Sequence, residues 1–187
     1  MIEWPDHDRP WEWELFRPLH GTSMLELGNK RKGDFVYKAF FESIGFRHVS
    51  VDINGEDGAL PLDLSKPIDL GTFDMVSNLG TSEHVSEDRY TGQIQCWRNI
   101  LEAMHIGSVL VSITPQPGTW LKHGTWYPHE SFFHALAKCN GLEAERVSNR
   151  PWFAHNPRRR LVDARLVRRE DKPFEMPSKE HIFYNRR

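Results

Sequence analysis

Residues 24–33 read Met24-Leu25-Glu26-Leu27-Gly28-Asn29-Lys30-Arg31-Lys32-Gly33. The apolar run from Ser23 to Leu27 ends on a glycine, the pattern of a short buried strand that delivers the chain into a tight turn. Glycine suits such a turn because it takes positive φ without strain and lets a ligand approach the backbone. On the C-terminal side, Phe35, Val36, Ala39, Phe40 and Ile44 recur at helical spacing, predicting a helix over Asp34–Ile44 that Gly45 stops. A second strand, His48–Asp52, ends in a carboxylate, residues 59–64 (ALPLDL) form a short third, and residues 73–78 (FDMVSN) a fourth. A long helix spans Asp88–His105 with Tyr90, Ile94, Trp97, Ile100, Leu101 and Met104 on its inner face. Val109–Ile113 is the clearest buried strand, His129–Cys139 a further helix, and Leu142–Val147 with Arg160–Val167 a closing hairpin. On the N-terminal side, residues 1–21 are rich in Trp and Pro, with one short helix over Pro10–Leu19.

Strands that alternate with helices predict an α/β fold, a mostly parallel sheet with helices on both faces. The chain of 187 residues suits a single domain over 1–187, with a lead-in or lid (1–21), a core (22–170) and a tail (171–187) that is partly ordered or packs on a partner. Trp4, Trp11 and Trp13 read as a lid, a dimer contact or packing on the sheet edge. No run of eighteen apolar residues exists and the N-terminus is acidic, so neither a membrane span nor a secretory signal is expected. Cys96 and Cys139 form no CxxC pair and suit free thiols in a reducing cytoplasm. His7, His20, His105, His129 and His134 lie at no ligand spacing from cysteines or carboxylates, and no metal is expected. The net charge of −2 hides an asymmetry, because residues 146–187 hold twelve Lys/Arg against five Asp/Glu. That basic stretch reads either as an arginine-decorated edge strand or as a nucleic-acid contact.

A doubly wound sheet binds its ligand at the carboxyl ends of the strands. Glu26 with Gly28, then Asp52, Asp63 and Asn78, fall at four consecutive strand ends. A carboxylate there can accept both hydroxyls of a ribose. Taken singly, each has a local alternative: Asp52 starts a turn before Asn54-Gly55, Asp63 caps one before Ser65, and Asn78 one before Gly80. The first turn lacks the GxGxxG of a dinucleotide site, since Lys30 stands where the second glycine belongs, and no Gly-Lys-Ser/Thr follows for a P-loop. An adenosine ligand without a pyrophosphate fits better.

These segments resemble a class I S-adenosylmethionine-dependent methyltransferase. Met24–Gly33 is similar to the first motif of that family, His48–Gly55 to the second, Leu60–Ser65 to the adenine-binding motif, and Phe73–Val85, with its Glu83-His84 pair, to the fourth. The likeness spans roughly residues 20–170 and implies a Rossmann-like, doubly wound seven-stranded sheet, mostly parallel with the last strand antiparallel. It also implies S-adenosylmethionine as cofactor. The backbone of Leu27, Gly28 and Asn29 would meet its methionine part with Glu26 supporting the turn. Asp52 and Ile53 would hold the ribose, Asp63 and Leu64 the adenine, and Asn78, Leu79 and Gly80 would border the methyl group. The first motif departs from the family in losing its later glycines to Asn29, Lys30 and Arg31.

Methyl transfer needs a base only if the acceptor must lose a proton, and Glu83, His84, His123 and Tyr127 are the candidates. Residues 116–128 (QPGTWLKHGTWYP) follow the fifth strand, so they either overhang the crevice as a substrate loop or cap the core with Trp120, Trp126 and Tyr127. The expected function is methylation of a small molecule by a monomer or homodimer. A nucleic-acid or protein methyltransferase is the second reading, and a silent S-adenosylmethionine-binding scaffold the third.

Overall fold

The computed structural model describes residues 10–19, 21–85, 90–120, 122–153 and 156–184. A helix α1 (Pro10–Phe16) precedes β1 (Ser23–Leu27); a small hairpin, β2 (Arg31–Lys32) and β3 (Phe35–Val36), leads into α2 (Tyr37–Ser43) and β4 (Arg47–Val51). Then come β5 (Phe73–Leu79), α3 (Thr91–Glu102), β6 (Met104–Pro115), β7 (Trp126–Pro128), α4 (Glu130–Asn140), β8 (Leu142–Phe153), β9 (Asn156–Arg168) and β10 (Ile182–Tyr184). The main sheet has the order β4-β1-β5-β6-β9-β8. Neighbours are parallel from β4 to β6, and β9 runs against both β6 and β8.

Register turns the period-two pattern of the strands into two cores. Leu25, Val76, Leu110 and Leu166 lie side by side across four strands. They pack with Trp97 and Ile100 of α3 and with Phe132, Phe133 and Leu136 of α4. One residue along, Met24, Met75, Val109 and Val167 form the opposite row, which packs with Trp13 and Phe16 of α1 and with Tyr37 and Phe41 of α2. Helices therefore cover both faces, as the alternation of elements predicts.

Several boundaries differ from expectation. The main sheet has six strands among the described residues, not seven. The expected third strand is reduced to one bridge, Val51 to Leu60, because Pro61 brings no N–H to a ladder. The expected helix over 34–44 starts only at Tyr37, since Phe35 and Val36 pair back onto Arg31 and Lys32 around Gly33. The long helix closes at Glu102, and its expected first residue, Asp88, lies outside the described residues. The final hairpin is much longer than Leu142–Val147 and Arg160–Val167, with β8 and β9 paired from Leu142 to Phe153.

Trp13 is buried and stacks on Tyr37 at 5.2 Å, within the core on the α2 face of the sheet; Trp4, His7 and His20 lie outside the described residues. The tail is tied down by Asn140, whose Nδ2 donates to the Glu175 carbonyl at 2.9 Å and whose Oδ1 accepts from the Glu175 amide at 2.7 Å. Beyond that clamp, β10 pairs with β7. The arginines of the basic stretch are largely matched within the hairpin: Arg150 to Asp163 at 2.7 Å, Arg165 to Glu145 at 2.8 Å and Arg169 to Glu143 at 2.6 Å. No helix is long and apolar enough to cross a membrane among the described residues.

Candidate functional site

At the carboxyl end of β1 the chain turns through Gly28, whose φ of 85° belongs to the left-handed region that favours glycine. A Cβ there would also run into the Thr81 hydroxyl. The turn is fastened from three sides. The Gly28 amide donates to the Val51 carbonyl at 2.7 Å, the Lys30 amide to Glu26 Oε1 at 3.0 Å, and the Thr81 hydroxyl to the Leu27 carbonyl at 2.8 Å. Glu26 is fully buried, and burial pushes its carboxyl up to about 8. Its Oε2 lies 3.3 Å from Nε2 of His48, whose imidazole burial holds down to about 4. Burial thus favours the uncharged form of both partners.

The turn after β4 is tied to the first by Asn29, whose Nδ2 donates to the Glu56 carbonyl at 3.0 Å. Asp52 accepts from the Asn54 amide at 3.0 Å, and Asp63 from the Ser65 amide at 2.8 Å. The Ser65 hydroxyl and amide hold the Asp63 carboxyl below the usual carboxylate range. Both residues thus shape turns and both also line a cavity of about 480 Å³, with Ile53, Leu64, Ser65, Gly80, Thr81, His84 and Val85. Ile53 is 76% exposed, an apolar side chain left uncovered at the rim.

A second cavity of about 490 Å³ shares Gly80 and His84 with the first. Its walls come from Lys30, Arg31 and Lys32, from Glu83 and His123, and from Trp120, Trp152, Phe153 and Arg159. The Arg159 guanidinium lies 4.9 Å from the Trp120 ring and 5.6 Å from that of Trp152. Lys30 reaches across the crevice to donate from Nζ to the Leu79 carbonyl at 3.1 Å. A larger cavity of about 770 Å³ lies at the opposite end of the strands, lined by Thr72, Met104 and Arg168. That is the end away from the ligand crevice of a doubly wound sheet.

Glu83, His84 and His123 stand together on the wall of the second cavity, and His84 also borders the first. Glu83 is 1% exposed, and burial raises its carboxyl to about 7. Nε2 of His84 and Nε2 of His123 each lie 3.9 Å from Glu83 Oε1, and the two imidazole rings are 4.8 Å apart. Both imidazoles are held below their ordinary range, chiefly by burial, with Lys30 adding to the effect on each.

No family profile and no curated protein matches the sequence. Solved structures do match the fold. N-methyltransferase NodS from Bradyrhizobium japonicum, in complex with S-adenosyl-L-homocysteine, aligns at a TM-score of 0.63 and 15% identity over 87% of each chain. Sugar N-methyltransferase KedS8 from Streptoalloteichus aligns at 0.57 and 18% identity, also over 87% of each. The 1,6-didemethyltoxoflavin-N1-methyltransferase from Burkholderia thailandensis aligns at 0.61 and 15% identity over 86% of this chain and 77% of that one. The chain has the class I methyltransferase fold. At these identities the likeness is one of fold.

Within this methyltransferase fold the expected residues divide. Asp52, Ile53, Asp63, Leu64 and Gly80 line the first cavity; Leu79, Gly80, Glu83, His84 and His123 line the second. Asn78 is placed differently. Fully buried, it donates to the Ser82 and Ser112 hydroxyls at 2.8 and 3.1 Å and accepts from the Ser82 amide at 3.0 Å, so it holds the turn that presents Glu83. Leu27 is buried on the α3 side of the sheet. Tyr127 is buried too: its hydroxyl donates to the Trp120 carbonyl at 2.8 Å and accepts from the Gly124 amide at 2.6 Å, which fixes the turn carrying His123. Trp152, Phe153 and Arg159 escaped the sequence reading. Their cue was the Arg158-Arg159-Arg160 run near two aromatic residues, which composition registered only as charge.

Proposed function

We propose that this chain is an S-adenosylmethionine-dependent methyltransferase acting on a small molecule. The observation that carries this reading is the pair of similar cavities meeting at Gly80 and His84, at the carboxyl end of β5. One cavity has the carboxylates and apolar wall an adenosine needs, and the other has the aromatic and cationic walls of an acceptor site. Two neighbours of the fold, NodS and the didemethyltoxoflavin enzyme, were crystallised with S-adenosylhomocysteine, the product of that cofactor. In this reading Gly28, supported by Glu26 and Asn29, receives the methionine part. Asp52 accepts the ribose hydroxyls, Ile53 covers the nucleoside, and Asp63 with Leu64 meets the adenine. Leu79 and Gly80 border the methyl group.

A sulfonium methyl is already activated, so the main contribution of the chain is to hold the acceptor in line with it, a positioning effect of about 7–11 kcal/mol. Glu83, His84 and His123 face that junction and are the groups that activate the acceptor. Tyr127 acts through them by fixing their loop. An acceptor that fits a cavity of about 490 Å³ is a small molecule, and the internal pairing of the hairpin arginines favours this over a nucleic-acid acceptor.

Calorimetric titration with S-adenosylmethionine tests the reading. Binding is expected, and Asp52→Ala should weaken it about tenfold or more, because each charge-assisted hydrogen bond contributes about 1.5–3 kcal/mol. No heat and no thermal shift at saturating cofactor would leave a silent scaffold as the better account.

A further inference from the structure

We propose that Glu83, His84 and His123 form a binding site for one divalent transition-metal ion of the zinc type. Three donors converge there: the Glu83 carboxylate and the two imidazoles each offer one ligand atom, all within 4.8 Å of one another, and Nε2 of each histidine lies 3.9 Å from Glu83 Oε1. Two imidazoles and one carboxylate suit a borderline cation such as zinc, and three protein ligands leave one position open. A tetrahedral zinc site puts donor atoms roughly 3.4 Å apart. The observed 3.9 Å from Glu83 Oε1 to each imidazole is closed by small rotations of two side chains that are 48% and 41% exposed.

The burial of Glu83 points to a ligand independently. Its side chain is 1% exposed, and beyond an interaction with its own backbone amide neither carboxyl oxygen has a hydrogen-bond partner among the described residues. An unsatisfied buried carboxyl is costly, and an ion between Glu83 and the two histidines would satisfy it. The surrounding structure is built to hold the two ligand-bearing segments together. The Thr125 amide donates to the Glu83 carbonyl at 2.9 Å. A Cβ on Gly124 would come within 2.8 Å of that same carbonyl oxygen, so only glycine permits the close approach. On the other side, Gln93 Nε2 donates to the Val85 carbonyl at 2.6 Å and holds the end of the Glu83 turn. Lys30 is the nearby charge that opposes a cation, and its Nζ is directed to the Leu79 carbonyl.

An ion here faces both cavities through His84. Its open position would take an oxygen or nitrogen of the acceptor and act as a Lewis acid on it, so that the acceptor gives up its proton to solvent water more readily while Glu83, His84 and His123 remain ligands. That use rests on the methyltransferase reading, whereas the existence of the site does not.

Zinc titration of the full chain after dialysis against EDTA tests the proposal. One Zn²⁺ per chain is expected. His84→Ala and His123→Ala should each lower its affinity by about tenfold or more, because even the loss of an outer-shell partner costs about 10–100-fold. His134→Ala, on the exposed face of α4, should leave it unchanged. Co²⁺ gives a second readout on the unaltered chain: visible bands of imidazole-bound cobalt that Zn²⁺ abolishes. Absence of stoichiometric binding overturns the proposal, as does wild-type affinity in the His84→Ala/His123→Ala double variant. S-adenosylmethionine is titrated in parallel. Zinc binding without cofactor binding keeps the metal site and retires the methyltransferase reading; cofactor binding without zinc does the reverse.

Discussion

Glu26 shows how one residue serves a site without touching a ligand. Its fully buried carboxyl accepts the Lys30 amide and so fixes the turn that begins at Gly28. Because burial raises it from 4.5 to about 8, folding takes up a proton wherever the unfolded carboxyl is ionised and the folded one is not. The stability that follows is fully present below the unfolded value and is lost as pH rises through about 8. His48 stays neutral across that window, since its value is held near 4. Glu26→Gln keeps the acceptor for Lys30 and removes the titration. Urea midpoints measured from about pH 6 to about pH 9 should fall in the wild type and fall less in Glu26→Gln. Parallel curves for the two proteins would show that the Glu26 carboxyl is not what titrates. The sequence showed Glu26 as a polar residue at a strand end. Its raised value comes from burial between neighbouring strands, which lies beyond any local pattern.

At the scale of elements, local signals succeed where one residue type decides the backbone. Ser23–Leu27 was readable as a strand because a run of apolar residues ends on glycine, and β1 has those bounds. The third strand failed because its apolar pattern was stronger than the objection raised by Pro61, although proline excludes a regular ladder there. Phe35 and Val36 fit a helical stripe and an extended hairpin equally well, and pairing with Arg31 and Lys32 decided for the hairpin. The tail could not be read, since Asn140 at the end of α4 acts on Glu175 across 35 residues. Asn140→Ala removes both bonds to Glu175 and should destabilise the chain by about 1–3 kcal/mol. Amide exchange should quicken through residues 173–184, where β10 loses its anchor, and leave β1 and β5 protected. Uniform acceleration across the sheet would show that the clamp serves global stability and not the tail.

For the whole molecule, the ends of β1, β4 and β5 were legible because the residues there are close in sequence to the turns they occupy, whereas Asp63 stands in a turn and not at a strand end. The second cavity was legible only in part: Glu83, His84, His123 and Trp120 stood out in the sequence, whereas Lys30, Trp152, Phe153 and Arg159 did not. Its walls join Lys30, Glu83, His123 and Arg159, which the parallel crossovers and the final hairpin bring together from across the chain. The two halves of the site therefore belong to different parts of the fold, and a ligand in the first cavity should stabilise them unequally. Saturation with S-adenosylhomocysteine at about 100 times its Kd adds about 2.7 kcal/mol to the stability of a two-state chain. For a domain of this size that corresponds to a rise in Tm of roughly 5–10 °C. Amide protection should increase at Gly28–Lys30, Asp52–Asn54 and Gly80–Val85, the turns that line or fasten the first cavity, while the β8–β9 hairpin changes little. In Asp52→Ala, the same concentration should give a smaller rise in Tm with the same pattern of protection. Protection centred on Trp152 and Arg159 instead would place the nucleoside in the second cavity and exchange the roles of the two pockets.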